Sequence, residues 1–235
     1  MRGPRPLVEV RRTRGGLELR VDGTLASVYR RGRSLTGVVW WALAAPLLLV
    51  ERKRRRVLLL GLAAGSVARA IRTLDPAAEI VGVEIDRRVL RLARRHFGLA
   101  QLGVEVVVDD ALAYLRRERR TFDLIVEDLF VGPARAVHKP DWLLGEGYRL
   151  IASRLRADGI FVSNTIHELP SVVRACRPFA RRIVCLDVDS HWNCIVVAGR
   201  HVPTAALLRR RLAAVAPLRG RVQFRTCWTR PRRVD

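Results

Sequence analysis

Five short apolar runs, at 57–61, 79–84, 104–108, 123–127 and 158–163, punctuate the middle of the chain. They are continuous rather than alternating, the pattern of strands covered on both faces in a parallel sheet. The segments between them, 66–73, 87–97, 111–118 and 143–156, carry apolar residues at helical spacing and predict helices. Beyond the fifth run, SVVRACRPFA predicts another helix, and RRIVCLDVDSHWNCIVVAGR predicts two strands joined by a turn at Asp189-Ser190. Strands alternating with helices and closed by a terminal hairpin imply an α/β fold, with a Rossmann-like mixed sheet of seven strands over residues 57–235.

The N-terminal part has a different rhythm. Residues 7–30 alternate apolar and polar positions, with turn signals at Gly15-Gly16 and Asp22-Gly23, so residues 1–33 form a small β-hairpin region. Residues 34–56 come next, an apolar helix followed by a basic link. The stretch from Ser34 to Val50 is nearly long enough to span a bilayer. Pro46 interrupts it, however, and ERKRRR leads straight into the first core strand, so a buried helix docked on the sheet is expected instead.

Composition changes this picture in two ways. Hydrophobic residues make up 49% of the 235 positions, which excludes a disordered chain. The net charge of +22 favours anionic partners, and weak, non-specific nucleic-acid binding is the form expected because the basic residues are scattered through the helices. All of them except Lys53 and Lys139 are arginine, a skew that codon bias also produces. The cysteines at 176, 185, 194 and 227 make no C-x-x-C pair, and no histidine stands at zinc-ligand spacing, so no metal is expected. Cys185 and Cys194 fall in apolar strand-like runs and read as reduced core thiols. With no apolar signal core in MRGPRPLVEVRRTRGG, this points to the cytoplasm.

Chemistry gathers where the strands end, since ligands of such sheets bind beyond the carboxyl ends at the switch in strand order. GLAAGS, Gly61 to Ser66, turns from strand to helix with small side chains; the middle position of a G-x-G-x-G reading is Ala63, flanked by Gly61 and Gly65. Glu84 ends the next strand, where a carboxylate accepts from a ribose diol. Asp110 follows the third strand, either as an acceptor for an adenine amine or as a helix N-cap. Asp128 ends the fourth strand and Asn164 the fifth. His138 and Trp142 lie in the loop after strand four, the place for a lid or acceptor wall.

Together, VLLLGLAAGS, VGVEID, DDALAYL, FDLIVEDLF, GPA and ADGIFVSN over residues 57–164, with LELRVDG before them, resemble the spermidine-synthase-like branch of class I S-adenosylmethionine-dependent transferases. The resemblance implies Gly61 and Gly65 at the methionine end of the cofactor. It also implies Glu84 on the ribose, Asp110 on the adenine amine, Pro133 and Ala134 beside the adenine ring, and Asp128 as the acid that takes the proton from an attacking amine. It further suggests a homodimer. The polyamine-making members carry a glutamine where this chain has Ala26, a tyrosine and a glutamate near positions 35–37, and a second aspartate where Phe130 and Val131 stand. The family also contains methyltransferases without those acids.

The expectation from sequence is therefore an S-adenosylmethionine-dependent methyltransferase, with Asp128 catalytic, a small-molecule or protein acceptor presenting nitrogen, and Asn164, His138 and Trp142 as acceptor-site candidates. The alternative is a polyamine aminopropyltransferase using decarboxylated S-adenosylmethionine. A second alternative is a non-catalytic binding module on a nucleotide fold.

Overall fold

The computed structural model describes residues 6–32, 37–189 and 192–229. The ends of the chain, positions 33–36 at the start of the expected apolar helix, and Ser190 of the expected turn lie outside them.

The N-terminal region is a three-stranded antiparallel sheet, β1 (Val8–Thr13), β2 (Gly16–Val21) and β3 (Thr24–Tyr29). It is followed by α1 (Val38–Ala44), all seven residues of which are buried, and by a 3-10 turn at Ala45–Leu49. Pro46 has no N–H to continue an α-helical ladder, so the apolar stretch tightens and ends there. Among the described residues no helix is long and apolar enough to cross a membrane. The greasy segment packs on α2 (Ser66–Leu74) and on the sheet, as its lack of charged positions requires.

The main sheet comprises β4 (Arg56–Leu60), β5 (Glu79–Glu84), β6 (Val104–Val108), β7 (Phe122–Glu127), β8 (Leu155–Thr165), β9 (Arg182–Val188), β10 (Cys194–Gly199) and β11 (Val222–Thr229). Their order is β11-β9-β10-β8-β7-β4-β5-β6. The strands β4 to β8 run parallel, whereas β10 is antiparallel to both β8 and β9. Helices α3 (Arg87–His96), α4 (Ala111–Arg117), α5 (Tyr148–Arg154), α6 (Leu169–Cys176) and α7 (Ala205–Arg211) complete the layers. Successive residues of β4 point to opposite faces. Val57 and Leu59 join the core under α1, α2 and α3, while Leu58 and Leu60 join the core under α4, α5 and α6.

The sheet has eight strands rather than seven. The extra one, β11, overlaps residues 225–235, RTCWTRPRRVD, which read from sequence as a surface segment. It pairs antiparallel with β9 through a bulge between Thr226 and Trp228. That pairing brings Cys227 beside Cys185, with Cα atoms 6.1 Å apart, and the two form a disulfide. Cys185 is thus not a reduced thiol, whereas Cys194 and Cys176 are free and buried. The segment 143–156 also departs from a single helix: a π-turn at Leu143–Gly147 precedes α5, and β8 has begun by Leu155.

The basic link earns its charge at the amino end of the sheet. Arg52 and Arg156 both reach Asp123 of β7, at 3.0 and 3.2 Å, and Asp123 also accepts the Arg56 N–H at 2.8 Å. Arg55 pairs with Asp75 at 2.8 Å. These contacts fix where β4 enters the sheet. The docked α1 is tested by Leu43→Ala, at a side chain with no exposed surface. Urea unfolding should show a loss of about 2–5 kcal/mol, the cost of a core cavity; a loss below half a kcal/mol would place this face of α1 against solvent.

Candidate active site

The strand order reverses between β4 and β7, and their carboxyl ends open on a cleft of about 820 Å³. The cleft divides naturally at that switch. Residues after β4, β5 and β6 line one half; residues after β7, β8 and before β10, with α1, line the other.

In the first half, Gly61 has φ +89°, and a Cβ there would lie 2.6 Å from the Asp128 carbonyl oxygen. A glycine is required because the two strand ends come this close. Ala63, at the middle position of the G-x-G-x-G spacing, has φ +47°. Its N–H donates to Glu84 Oε2 at 2.9 Å, a bond that helps to hold the left-handed backbone in place. Glu84 Oε1 accepts from the Asp86 N–H at 3.0 Å. Burial at the end of β5 raises the Glu84 pKa above the usual carboxylate range, opposed by these two backbone donors. Asp110 caps α4 by accepting the Ala113 N–H at 3.0 Å through one oxygen. The hairpin sheet closes over this turn. Ser27 Oγ accepts from the Ala64 N–H, and Ser66 Oγ bonds to both the N–H and the carbonyl of Val28.

In the second half, the Asp128 N–H donates to the Leu60 carbonyl at 2.9 Å, and its Oδ1 accepts from Asn164 Nδ2 at 2.8 Å. Asn164 Oδ1 in turn accepts from Asn193 Nδ2 at 2.9 Å. Burial pushes the Asp128 carboxyl up; the Asn164 amide and the charge of Lys139 pull the other way. Beneath this surface lies a sealed ion pair. Lys139 Nζ is 2.6 Å from Glu127 Oε1, and both side chains are almost wholly buried. Ser163 Oγ donates to Glu127 Oε2 at 2.6 Å, the Leu129 N–H donates to Oε1 at 2.7 Å, and the ammonium lies 4.1 Å from the centre of the Phe130 ring.

Gly61, Ala63, Glu84, Asp110, Asp128, Asn164 and Trp142 therefore all line one cleft. Gly65, Pro133, Ala134 and His138 stand outside its lining. Gly65 starts α2 at φ +85°, close to Leu99 and Leu102. Ala134 donates its N–H to the Asp22 carbonyl, which ties the 131–138 loop to the β2–β3 turn. His138 pairs with Val131 through the backbone, and its Nδ1 meets the Lys139 carbonyl. Sequence reasoning missed Asn193, Trp40 and the Glu127–Lys139 pair. The lysine did leave a signal: in a chain that uses arginine at nearly every basic position, Lys139 marks a narrow buried site suited to a compact ammonium.

Residues 43–186 match the spermine/spermidine synthase domain, more than half of the chain. The chain belongs to that family. Members similar to it include the polyamine aminopropyltransferase of Aeropyrum pernix, 29% identical in an alignment of 184 positions that covers 69% of this chain and 57% of that protein. Another is the polyamine aminopropyltransferase of Neisseria meningitidis, 30% identical over 67% of this chain and 61% of that one. The chain thus spans under two thirds of the length of these relatives. A probable spermidine synthase from Corynebacterium glutamicum superposes with a TM-score of 0.74 at 18% identity, over 94% of this chain and 88% of its own, which shows the shared fold.

These relatives overturn the methyltransferase expectation, because they are named for aminopropyl transfer. The reason the sequence misled is physical. The glutamine, tyrosine and acids missing at Ala26, near Leu35 to Gly37 and at Val131 concern how an acceptor is held, whereas the choice of transferred alkyl group concerns the donor. Their absence in this spermidine-synthase family member says nothing of which carbon on sulfur is attacked.

The buried pair generates a prediction. Lys139→Met removes the cation and leaves Glu127 charged in the core. Stability should fall by about 3–5 kcal/mol, the usual result of breaking a buried pair on one side. The companion Lys139→Met/Glu127→Gln protein should recover most of it in denaturant unfolding; equal losses in both would show that the pair is not coupled.

Proposed function

We propose that this protein is an aminopropyltransferase, moving the aminopropyl group of decarboxylated S-adenosylmethionine to the nitrogen of an amine. The observation that carries this reading is the placement of Asp128: a carboxylate on the acceptor half of the cleft, aimed by Asn164, in a chain whose relatives are named aminopropyltransferases.

The donor half suits an adenosine. Each Glu84 oxygen takes one backbone N–H and keeps a lone pair for a ribose hydroxyl. Asp110 caps its helix with one oxygen and leaves the other for an adenine amine. Gly61 and Ala63 keep the wall thin beside them. Gly65, Pro133 and Ala134 would act behind that wall, by shaping the turn and the loop. The donor supplies a sulfonium whose aminopropyl carbon is open to displacement. The acceptor nitrogen forms a bond to that carbon as the carbon–sulfur bond breaks, and the electron pair stays on sulfur as a neutral thioether. The nitrogen's proton passes to Asp128 and then to water. The products are the N-aminopropyl amine, methylthioadenosine and one proton. Alignment of nitrogen, carbon and sulfur supplies most of the acceleration, and Asp128 ensures that the nitrogen arrives with a free lone pair.

Two measurements test this. Glu84→Ala should weaken donor binding by about 1.5–3 kcal/mol in calorimetry, the worth of hydrogen bonds to a charged group; unchanged affinity would remove Glu84 from the site. Asp128→Asn should leave the donor Kd within a few-fold and lower kcat by roughly 10²–10⁴-fold. The pH profile adds a signature. Burial raises the Asp128 pKa, so Asp128 holds its proton as the pH falls through a range above that of ordinary aspartates. The rate should therefore climb with pH along a limb displaced upward from the usual aspartate value of about 3.9, and that limb should be missing in Asp128→Asn. A variant with wild-type turnover and the same limb makes Asp128 structural.

A further inference from the structure

The acceptor half of the cleft is walled by Val39 and Trp40 of α1, by Phe130 and Trp142, and by Ile166. Asp128 is the one carboxylate there among the described residues. The other cleft carboxylates are engaged or lie in the donor half: Asp22 Oδ1 accepts the Leu7 N–H in the β2–β3 turn, Asp86 is paired with Arg88, Asp109 is paired with Arg117, and Glu84 and Asp110 stand at the ends of β5 and β6. Nearby acids behind the acceptor wall are already engaged. Glu127 is sealed against Lys139, and Glu168 accepts the backbone N–H groups of Ile166, His167 and Lys139. The polar side chains that remain on this wall, Asn164 and Asn193, form a neutral relay that ends on Asp128. Positions 33–36, outside the described residues, are Arg, Ser, Leu and Thr, and add no carboxylate.

One anion neutralises one cation. A diamine with its reacting nitrogen at Asp128 would carry a second ammonium against tryptophan, isoleucine and valine. An unpaired charge in such surroundings costs far more than the methylene contacts return, and a tryptophan face attracts a cation less strongly than a carboxylate does. A hydrocarbon body, by contrast, gains from the same wall. Resting on the aminopropyl reading above, we infer that the acceptor is an amine with a single cationic nitrogen on an apolar body, an alkyl or arylalkyl monoamine, rather than a polycation.

The test supplies decarboxylated S-adenosylmethionine with butylamine, phenethylamine, putrescine or spermidine and follows methylthioadenosine, the product common to all four. A monoamine should exceed both polyamines in kcat/KM by at least about tenfold, the effect of roughly 1.4 kcal/mol of discrimination. Val131→Asp provides the converse. Val131 lines the cleft three residues beyond Asp128 and is 42% exposed, so the fold accepts a charge there. This variant should raise putrescine use relative to butylamine by about tenfold, the same increment; an unchanged ratio overturns exclusion by charge. If the wild-type protein uses putrescine or spermidine as well as a monoamine, the inference falls and aminopropyl transfer stands. If no amine releases methylthioadenosine, both fall.

Discussion

The cleft rests on a salt bridge that no solvent reaches. Glu127 is the last residue of β7 and Ser163 is its register partner on β8, so the bond between them locks two strand ends together. Lys139 adds the returning loop to the same carboxylate, and the Leu129 N–H adds the outgoing one. The pleat then does the rest. One residue further along each strand, side chains point the opposite way, and there Asp128 meets Asn164. The Asp128–Asn164 pair that lines the cleft is thus the upper layer of a buried structural pair. A buried ion pair adds little net stability compared with apolar packing; its value in this position is that it specifies one arrangement of three chain segments around a carboxylate.

The same register explains why Gly61 matters beyond its own turn. The Asp128 N–H is held by the Leu60 carbonyl, and the Asp128 carbonyl faces the space where a Cβ of residue 61 would sit. The turn that opens the donor half and the strand end that carries the acceptor-side acid are therefore in van der Waals contact. The two halves of the cleft meet at this contact, the point at which the function proposed above would bring a donor sulfonium and an acceptor nitrogen together. Small residues in the turn are commonly explained by the approach of a ligand; at Gly61 the nearer reason is the approach of the neighbouring strand.

How much of this was legible in the sequence varied with the kind of residue. Strands 79–84 and 104–108 coincide with β5 and β6 because continuous apolar runs admit few other placements. β11 escaped because it is an edge strand: with Arg225, Thr226 and Gln223 turned outward it carries no apolar run, and only its pairing with β9 defines it. The disulfide escaped with it. At the site, Glu84, Asp110, Asp128 and Asn164 were visible because strand ends are visible. Asn193 was not, since its relation to Asn164 arises from the antiparallel pairing of β10 with β8 across 29 positions of sequence. Motifs along the chain report on the donor half, formed by consecutive β-α units, while the acceptor half is assembled from distant segments that carry no local pattern. The misread chemistry has a different origin: the residues read as missing concern the acceptor, whereas methyl and aminopropyl transfer differ in the donor.

The charge of the protein bears on that acceptor half. With 44 basic residues and 22 acidic ones, carboxylates are the scarce partner, and the fold spends many of them on arginines. Asp123 holds Arg52 and Arg156, Asp75 holds Arg55, Glu105 and Glu118 share Arg120, and Asp187 holds Arg225. Most of these pairs are partly open to solvent and contribute little each to stability, but each one cancels an anion against a cation at long range, leaving the net charge of +22 as the far field. What reaches a molecule approaching the cleft is the excess of positive charge. Such a field opposes a polycation in proportion to its charge and a singly charged amine least. The long-range field and the short-range inventory of the cleft wall thus act in the same direction, the first on the encounter and the second on the bound state.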